Sequence, residues 1–286
     1  MTPQAKDEAP RADVADSLTF AFADLEAGVC GLARAGFTED GASGLAVLLS
    51  GAVPVAAAAD STRDGDGRAW EAIEAAGVRT TIVEPLRAWT VRFDGDGDRG
   101  FELEVSAVSS PAELGDGIGG MTGYEHLCTV EGTARTGAGA VRVRGLGQRG
   151  RLWGSPDWER LELTRSIGVW LGVDAGVTLH AARPAGAHGQ DVEERRAFVF
   201  DGGPPADAVP VAEPRLSTVS DLEGHQRRAG LELWVDEEDY PRRAAGELVG
   251  GTSLDLGRLR LDCAFLRWRM DGREGAGRYD ILRRVG

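Results

Sequence analysis

The sequence is poor in the residues that build metal sites and disulfide frameworks. Its three cysteines, Cys30, Cys128 and Cys263, lie far apart and form no C-x-x-C pair. That excludes a zinc ribbon and a disulfide scaffold, and it points to a reduced, cytoplasmic setting. The four histidines, His126, His180, His188 and His225, have neither H-x-x-x-H nor facial-triad spacing, so no metal is expected. Lysine is nearly absent. Lys6 is the only one, and arginine carries almost all the positive charge. With abundant alanine and glycine, this bias points to a high-GC bacterial genome. Acidic side chains outnumber basic ones by 46 to 32, a net charge of −14. Such a field repels phosphate backbones and argues against a nucleic-acid partner.

Other absences narrow the field further. No run approaches the about 18 consecutive apolar residues of a membrane-spanning helix. Met1 to Asp16 has no apolar core of a signal peptide. There is no G-x-S-x-G elbow. Gly115 to Gly120 loosely matches a phosphate-binding glycine loop, but it precedes a strand instead of opening a helix. Asp94-Gly95-Asp96-Gly97 superficially resembles a calcium loop, yet no Glu closes a twelve-residue ligand set. No cofactor is expected.

What is present is a succession of short strands. Leu18, Phe20 and Phe22 are spaced by two, as are Leu261, Cys263 and Phe265, the spacing of one face of a sheet. Similar segments recur along the chain, joined by Gly-rich and Asp-Gly turns such as Asp94–Gly97 and Asp174-Ala175-Gly176. Residues 52–67 read as a long Ala-rich loop. Residues 70–76 are ambiguous between helix and strand, with strand preferred. Strands do not alternate with long amphipathic helices, which disfavours a parallel α/β fold. The expected architecture is all-β, either sandwich or barrel.

The most informative stretch is Gly145-Leu146-Gly147-Gln148-Arg149-Gly150-Arg151-Leu152-Trp153-Gly154-Ser155-Pro156-Asp157-Trp158. Its glycines permit close backbone approach. Trp153 and Trp158 offer wide apolar faces with one N–H each. Arg149, Arg151 and Asp157 need partners if they are covered. The run reads either as a turn locked by two tryptophans and an Arg–Asp pair, or as the lining of a pocket for an apolar substrate. Upstream, Glu125 and His126 alternate in direction along a strand that begins at Tyr124, so one of the two faces inward.

This run resembles the G-x-G-x-R-D-H-S-W-G-x-R-D-W signature of proteins similar to carotenoid 1,2-hydratase (hydroxyneurosporene synthase), a family that includes cyclases and Diels–Alderases. Gly123-Tyr124-Glu125-His126 with Val130-Glu131-Gly132, the hairpin from Arg165 through Trp170 to Gly176, and Met270 to Gly277 resemble further strands of that family. The resemblance implies two lipocalin-like antiparallel β-barrel or sandwich domains packed side by side. After a mobile tail at 1–14, these would span 15–147 and 148–286, with a shared pocket near Gly145–Gln148. The sequence departs from the signature where the family has Asp-His-Ser, since Gly150-Arg151-Leu152 stands there, and Pro156 replaces an arginine.

By this resemblance the expected function is a hydratase- or cyclase-like enzyme for an apolar isoprenoid or polyketide-type molecule. Asp157 and Glu125 are the candidate acids. Trp153, Trp158, Arg149, Arg151, Tyr124, His126 and Trp170 are the candidate substrate-binding groups. An acid must protonate a C=C bond or carbonyl, and the resulting cation must be held in a dry pocket. An Asp157 tightly paired with arginine would stay ionised and could not be that acid. The missing Asp and His favour two alternatives: a cyclase acting mainly by holding its substrate in a reactive shape, and a non-catalytic carrier of lipophilic molecules. A purely structural pair of barrels is the third class. Oligomeric state is not legible.

Overall fold

The computed structural model describes residues 8–11, 13–38, 41–62, 68–115, 118–187, 189 and 192–285. The chain begins with β1 (Ala15–Asp24), β2 (Val29–Thr38), β3 (Gly41–Ser50) and β4 (Val53–Thr62). After a single 3-10 turn at Trp70–Ala72 come β5 (Val78–Glu84), β6 (Ala88–Gly95), β7 (Arg99–Ala107), the two-residue β8 (Ala112–Glu113), β9 (Met121–Thr136) and β10 (Ala140–Gly154). These form one curled antiparallel sheet in the order β4-β3-β2-β1-β10-β9-β7-β6-β5, with β8 pairing β9.

The second half contributes β11 (Leu161–Gly172), β12 (Ala175–Pro184), β13 (Glu194–Asp201), β14 (Asp207–Ser220), β15 (Gln226–Val235), β16 (Arg242–Asp255), β17 (Leu259–Met270) and β18 (Arg273–Arg284). They close into an eight-stranded barrel in chain order, β18 pairing back onto β11. The all-β architecture is therefore one half-barrel and one full barrel. Among the described residues, no helix is long and apolar enough to cross a membrane.

Strand alternation sorts the described side chains into three large cores and one small cluster around Leu161. Leu18, Phe20, Phe22, Trp89, Phe93 and Phe101 fill the half-barrel. Ile167, Val169, Leu179, Val199, Trp268 and Tyr279 fill the closed barrel. The third core lies between the two sheets, where Ala21, Leu32, Val47 and Leu127 meet Trp170, Phe200, Cys263 and Phe265. Backbone hydrogen bonds join the sheets as well: Ser110 N–H donates to Ala206 O at 2.8 Å and Ala206 N–H to Val108 O at 2.8 Å. The cysteines are free and buried, and burial pushes the thiols of Cys30 and Cys128 up to about 12.

Several expectations need correction. Residues 53–62 of the supposed Ala-rich loop are strand β4, a segment whose alanines give little β signal. Residues 63–67 lie outside the described residues. Residues 70–76 are neither helix nor strand but the 3-10 turn and a bridge from Ala75 to Val78. The chain leaves the first sheet only after Gly154, past the expected 147/148 boundary, because the glycine-rich run is itself the end of β10. A Cβ at Gly145 or Gly147 would run into the carbonyl oxygens of Ala23 and Ala21, so these glycines let β10 press onto β1. Of the expected tail, residues 8–11 do not trail free. Glu8 is buried inside the half-barrel. Residues 1–7 and 12 lie outside the described residues.

One ionised cluster spans the two sheets. Glu125 on β9 is buried and points at the barrel. Its Oε1 accepts from Arg278 NH2 at 2.9 Å. Its Oε2 accepts from Gln148 Nε2 and Thr178 Oγ1 and lies 2.9 Å from His180 Nε2. A Cβ at Gly150 would come within 2.9 Å of the same carboxylate, so glycine there leaves it room. Burial alone would raise the Glu125 carboxyl, but His180, Arg278 and Thr178 outweigh it and bring the group from 4.5 down to about 2. Glu125 is thus a fixed anion and not the proton donor expected of it.

Removing that anion leaves Arg278 covered with only Asp280, 3.0 Å away, to balance it. Glu125→Ala should therefore destabilise the protein by about 3–5 kcal/mol, read as a shifted urea midpoint. Between pH 4.5 and about 2 the unfolded chain takes up a proton at Glu125 that the folded chain does not. The stability carried by this site is accordingly full above pH 4.5 and lost as pH falls toward 2. That slope should vanish in Glu125→Gln.

Candidate functional site: an aromatic chamber in the half-barrel

The strands β9 and β10 carry most of the residues singled out in the sequence, and their pairing is continuous from Ala140–Arg135 to Gly154–Met121. Residues facing the half-barrel are Tyr124 and His126 on β9 and Arg149, Arg151 and Trp153 on β10. Residues of opposite parity, Glu125 and Gln148, face the closed barrel. The run therefore does not line a hollow shared by two barrels. It presents one set of side chains to each side.

Arg149 is the centre of the inner set and is 0% exposed. Its guanidinium lies 4.6 Å from the Trp89 ring and 5.2 Å from the Tyr124 ring, a stacking geometry that suits a buried cation. Arg149 NH2 is 2.5 Å from Glu8 Oε1. The Tyr124 hydroxyl donates to the same oxygen at 3.1 Å. Glu8 Oε2 accepts from Leu86 N–H at 2.9 Å and from Trp89 Nε1 at 3.3 Å. Trp70 Nε1 donates to the Glu8 carbonyl at 2.6 Å.

Arg151 is held by Asp16, with Nε to Oδ1 at 3.1 Å and NH2 to Oδ2 at 2.7 Å, and it donates to Ala9 O at 2.7 Å. Arg11 stacks on Trp153 at 4.3 Å. Arg68 ties the same segment down by donating to Arg11 O and Val14 O.

His126 carries the one open lone pair among the titratable side chains described in this ring. Its Nδ1 lies 3.2 Å from Ser109 O. Because a carbonyl can only accept, that nitrogen carries the proton. Nε2 then presents a lone pair, and it has no hydrogen-bond partner among the described residues. The ring lies 5.8 Å from Trp89 and 5.7 Å from Tyr124. Burial, helped by the Arg149 charge, pushes the imidazole down to about 3. Burial also raises the Tyr124 phenol. At neutral pH the chamber holds a neutral base, a protonated phenol and a guanidinium.

The other sequence candidates lie elsewhere. Asp157 is exposed and caps its own turn, Oδ1 accepting from Glu159 N–H at 3.0 Å. It meets neither Arg149 nor Arg151, whose carboxylate partners are Glu8 and Asp16, and it lacks the burial an acid would need. Trp158 packs on Ile118, Leu161 and Ala182. Trp170 is buried in the core between the sheets.

Sequence reasoning missed Glu8, Trp70 and Trp89. The rarity of tryptophan could have flagged the last two. Nothing local marks Glu8 among the other acidic residues near it. It also missed Asp280, whose carboxyl is raised by burial in the intersheet cluster.

A cavity of about 350 Å³ opens in the wall of the closed barrel, lined by His225, Ser253, Arg260 and Asp262 among others. These groups bond one another: Ser253 Oγ donates to Asp262 Oδ1 at 2.6 Å, and Arg260 NH2 lies 2.8 Å from His225 Nε2. Asp221, Glu223 and His225 lie close enough to share an ion. The Asp221 carboxylate, however, already accepts from Glu223 N–H, His225 N–H and Arg227.

Solved structures share the fold at low identity. Kievitone hydratase from Nectria haematococca superposes with a TM-score of 0.67 at 8% identity, covering 99% of this chain and 93% of its own. CghA in complex with Sch210972 gives 0.62 at 11% identity, covering 95% and 89%. CghA alone gives 0.60 at 11% identity, covering 100% and 93%. No curated protein matches. The resemblance drawn from the central run thus extends to the whole architecture. A family model described as "Domain of unknown function (DUF7064)" matches residues 4–285, and the chain belongs to that family.

Proposed function

We propose that the half-barrel chamber is the active site of a hydratase- or cyclase-like enzyme acting on an apolar small molecule that carries a polarised carbonyl. The observation that carries this reading is His126, a buried neutral imidazole whose open Nε2 shares one ring of side chains with Arg149 and Tyr124. The fold shared with kievitone hydratase and with CghA agrees with it.

In a hydration, His126 Nε2 takes a proton from water as the water oxygen bonds to the β-carbon of an enone. The C=C electrons move onto the carbonyl oxygen. Arg149 Nε and NH1, which have no hydrogen-bond partner among the described residues, stabilise that oxyanion, and the imidazolium returns the proton to the α-carbon. A cyclisation uses an internal nucleophile in place of water, with Trp70, Trp89 and Trp153 limiting the shapes the substrate can take. Protonation of an isolated alkene is disfavoured, because the carboxylates in the chamber, Glu8 and Asp16, are paired with arginines. The second reading is a non-catalytic carrier. It is favoured by the engagement of Arg149 and Tyr124 with Glu8, which leaves His126 as the one uncommitted titratable side chain in the ring.

A panel of enone-bearing isoprenoid and polyketide-type compounds tests this. His126→Gln should lower kcat by about 10²–10⁴-fold with little change in KM, while Asp157→Asn should leave turnover unchanged. Equal turnover in wild type and His126→Gln would remove the site. Binding to wild type without turnover of any panel member would support the carrier. Because His126 is neutral above about pH 3, kcat/KM should stay flat from pH 8 down to pH 5. An unperturbed histidine base would lose activity below about 6.5.

A further inference from the structure

The Glu8 carboxylate sits in a receptor that the rest of the half-barrel builds without it. Its partners come from four places in the sheet: three donors, Leu86 N–H from the β5–β6 turn, Trp89 Nε1 from β6 and the Tyr124 hydroxyl from β9, and a counter-charge, Arg149 from β10. Oε1 accepts from the Tyr124 hydroxyl at 3.1 Å and forms an ion pair with Arg149 NH2 at 2.5 Å, and Oε2 accepts from Leu86 N–H at 2.9 Å and Trp89 Nε1 at 3.3 Å. Leu86 adopts a φ of +63°, a left-handed conformation unusual for a non-glycine residue. The turn therefore holds its N–H at this place against a local cost. The acceptor alone comes from outside the sheet, on the segment of residues 8–11. Arg149 without it would be a fully covered cation lacking its counter-charge, which folded proteins avoid.

Resting on the chamber reading above, we infer that the ligand of this site bears a carboxylate, that this carboxylate takes the place of Glu8 on Arg149, Tyr124, Leu86 and Trp89, and that residues 8–11 leave the chamber when it binds. Every group aimed at the two oxygens is a donor, and one is a permanent cation, so the complement is an anion with two coplanar oxygens. The aromatic surfaces that now meet the segment, Trp70 at the Glu8 carbonyl and Trp153 under Arg11, would meet an apolar or aromatic body attached to that carboxylate. Glu8 acts as an internal competitor, so the measured affinity of the native chain is the intrinsic affinity reduced by the fraction of time the segment is out.

The test uses 4-phenylbutyrate and its neutral amide, 4-phenylbutanamide, as probes of the full chain by calorimetry. Glu8→Ala, checked for folding by circular dichroism, should bind phenylbutyrate about tenfold or more tightly than wild type does. It should also prefer the acid over the amide by a similar factor. In wild type, saturating phenylbutyrate should raise deuterium uptake of the peptide covering residues 8–14, an arm that stands even if Glu8→Ala does not fold. Equal binding of acid and amide by Glu8→Ala, or phenylbutyrate bound by wild type with no change in exchange at 8–14, overturns the inference and leaves the chamber reading in place. Folded Glu8→Ala that binds neither compound overturns both.

Discussion

A single buried anion holds the two sheets in register. Glu125 collects Gln148 from its own sheet and Thr178, His180 and Arg278 from the closed barrel. In a dry interface a carboxylate is tolerable only when its lone pairs are filled and its charge is balanced. The arrangement therefore specifies one docking geometry. A one-residue slip of β9 against its neighbouring strands would turn Tyr124 or His126 to the barrel and leave Arg278 without Glu125. The apolar contacts around it, such as Leu127 and Trp170, supply attraction but little direction.

Because Glu125 is fixed on the barrel side, its neighbours are fixed on the other. Tyr124 and His126 must enter the half-barrel, and the antiparallel register sets Arg149 opposite His126 and Arg151 opposite Tyr124. The chamber and the docking surface are thus two faces of the same pair of strands. One face is an ion cluster in which both Glu125 oxygens are bonded and the carboxylate stays ionised. The other combines a guanidinium, a phenol and an imidazole that burial keeps neutral. Groups of similar chemistry take different roles because in one set the Glu125 carboxylate is bonded at both oxygens, while the other retains the open His126 nitrogen.

Legibility followed the range of the interactions. Period-two spacing in Leu18, Phe20 and Phe22, and again in Leu261, Cys263 and Phe265, announces strands because the signal is local. The hairpin turn expected at Asp94–Gly97 was legible too, although it falls at residues 96–98, since β6 runs on to Gly95 and β7 begins at Arg99. Strand β4 was hidden because its alanines carry little preference for sheet, and the pairing with β3 decided its state. Asp157 was attractive only because it stood beside Trp153 and Trp158 in the chain. In space it belongs to an exposed turn, while Arg149 and Arg151 found carboxylates more than a hundred residues away.

The sequence by itself determined the class of the fold, the importance of the β9–β10 stretch, and the rule that Glu125 and His126 face opposite ways. All three follow from the alternation of a strand and from the rarity of tryptophan and buried charge. Tertiary structure alone decided which way each of them faces, that Glu8 answers Arg149, and that Trp70 and Trp89 complete the chamber. These depend on register and sheet curvature, which bring residues distant in the chain within hydrogen-bond reach and leave no mark in any short window of sequence.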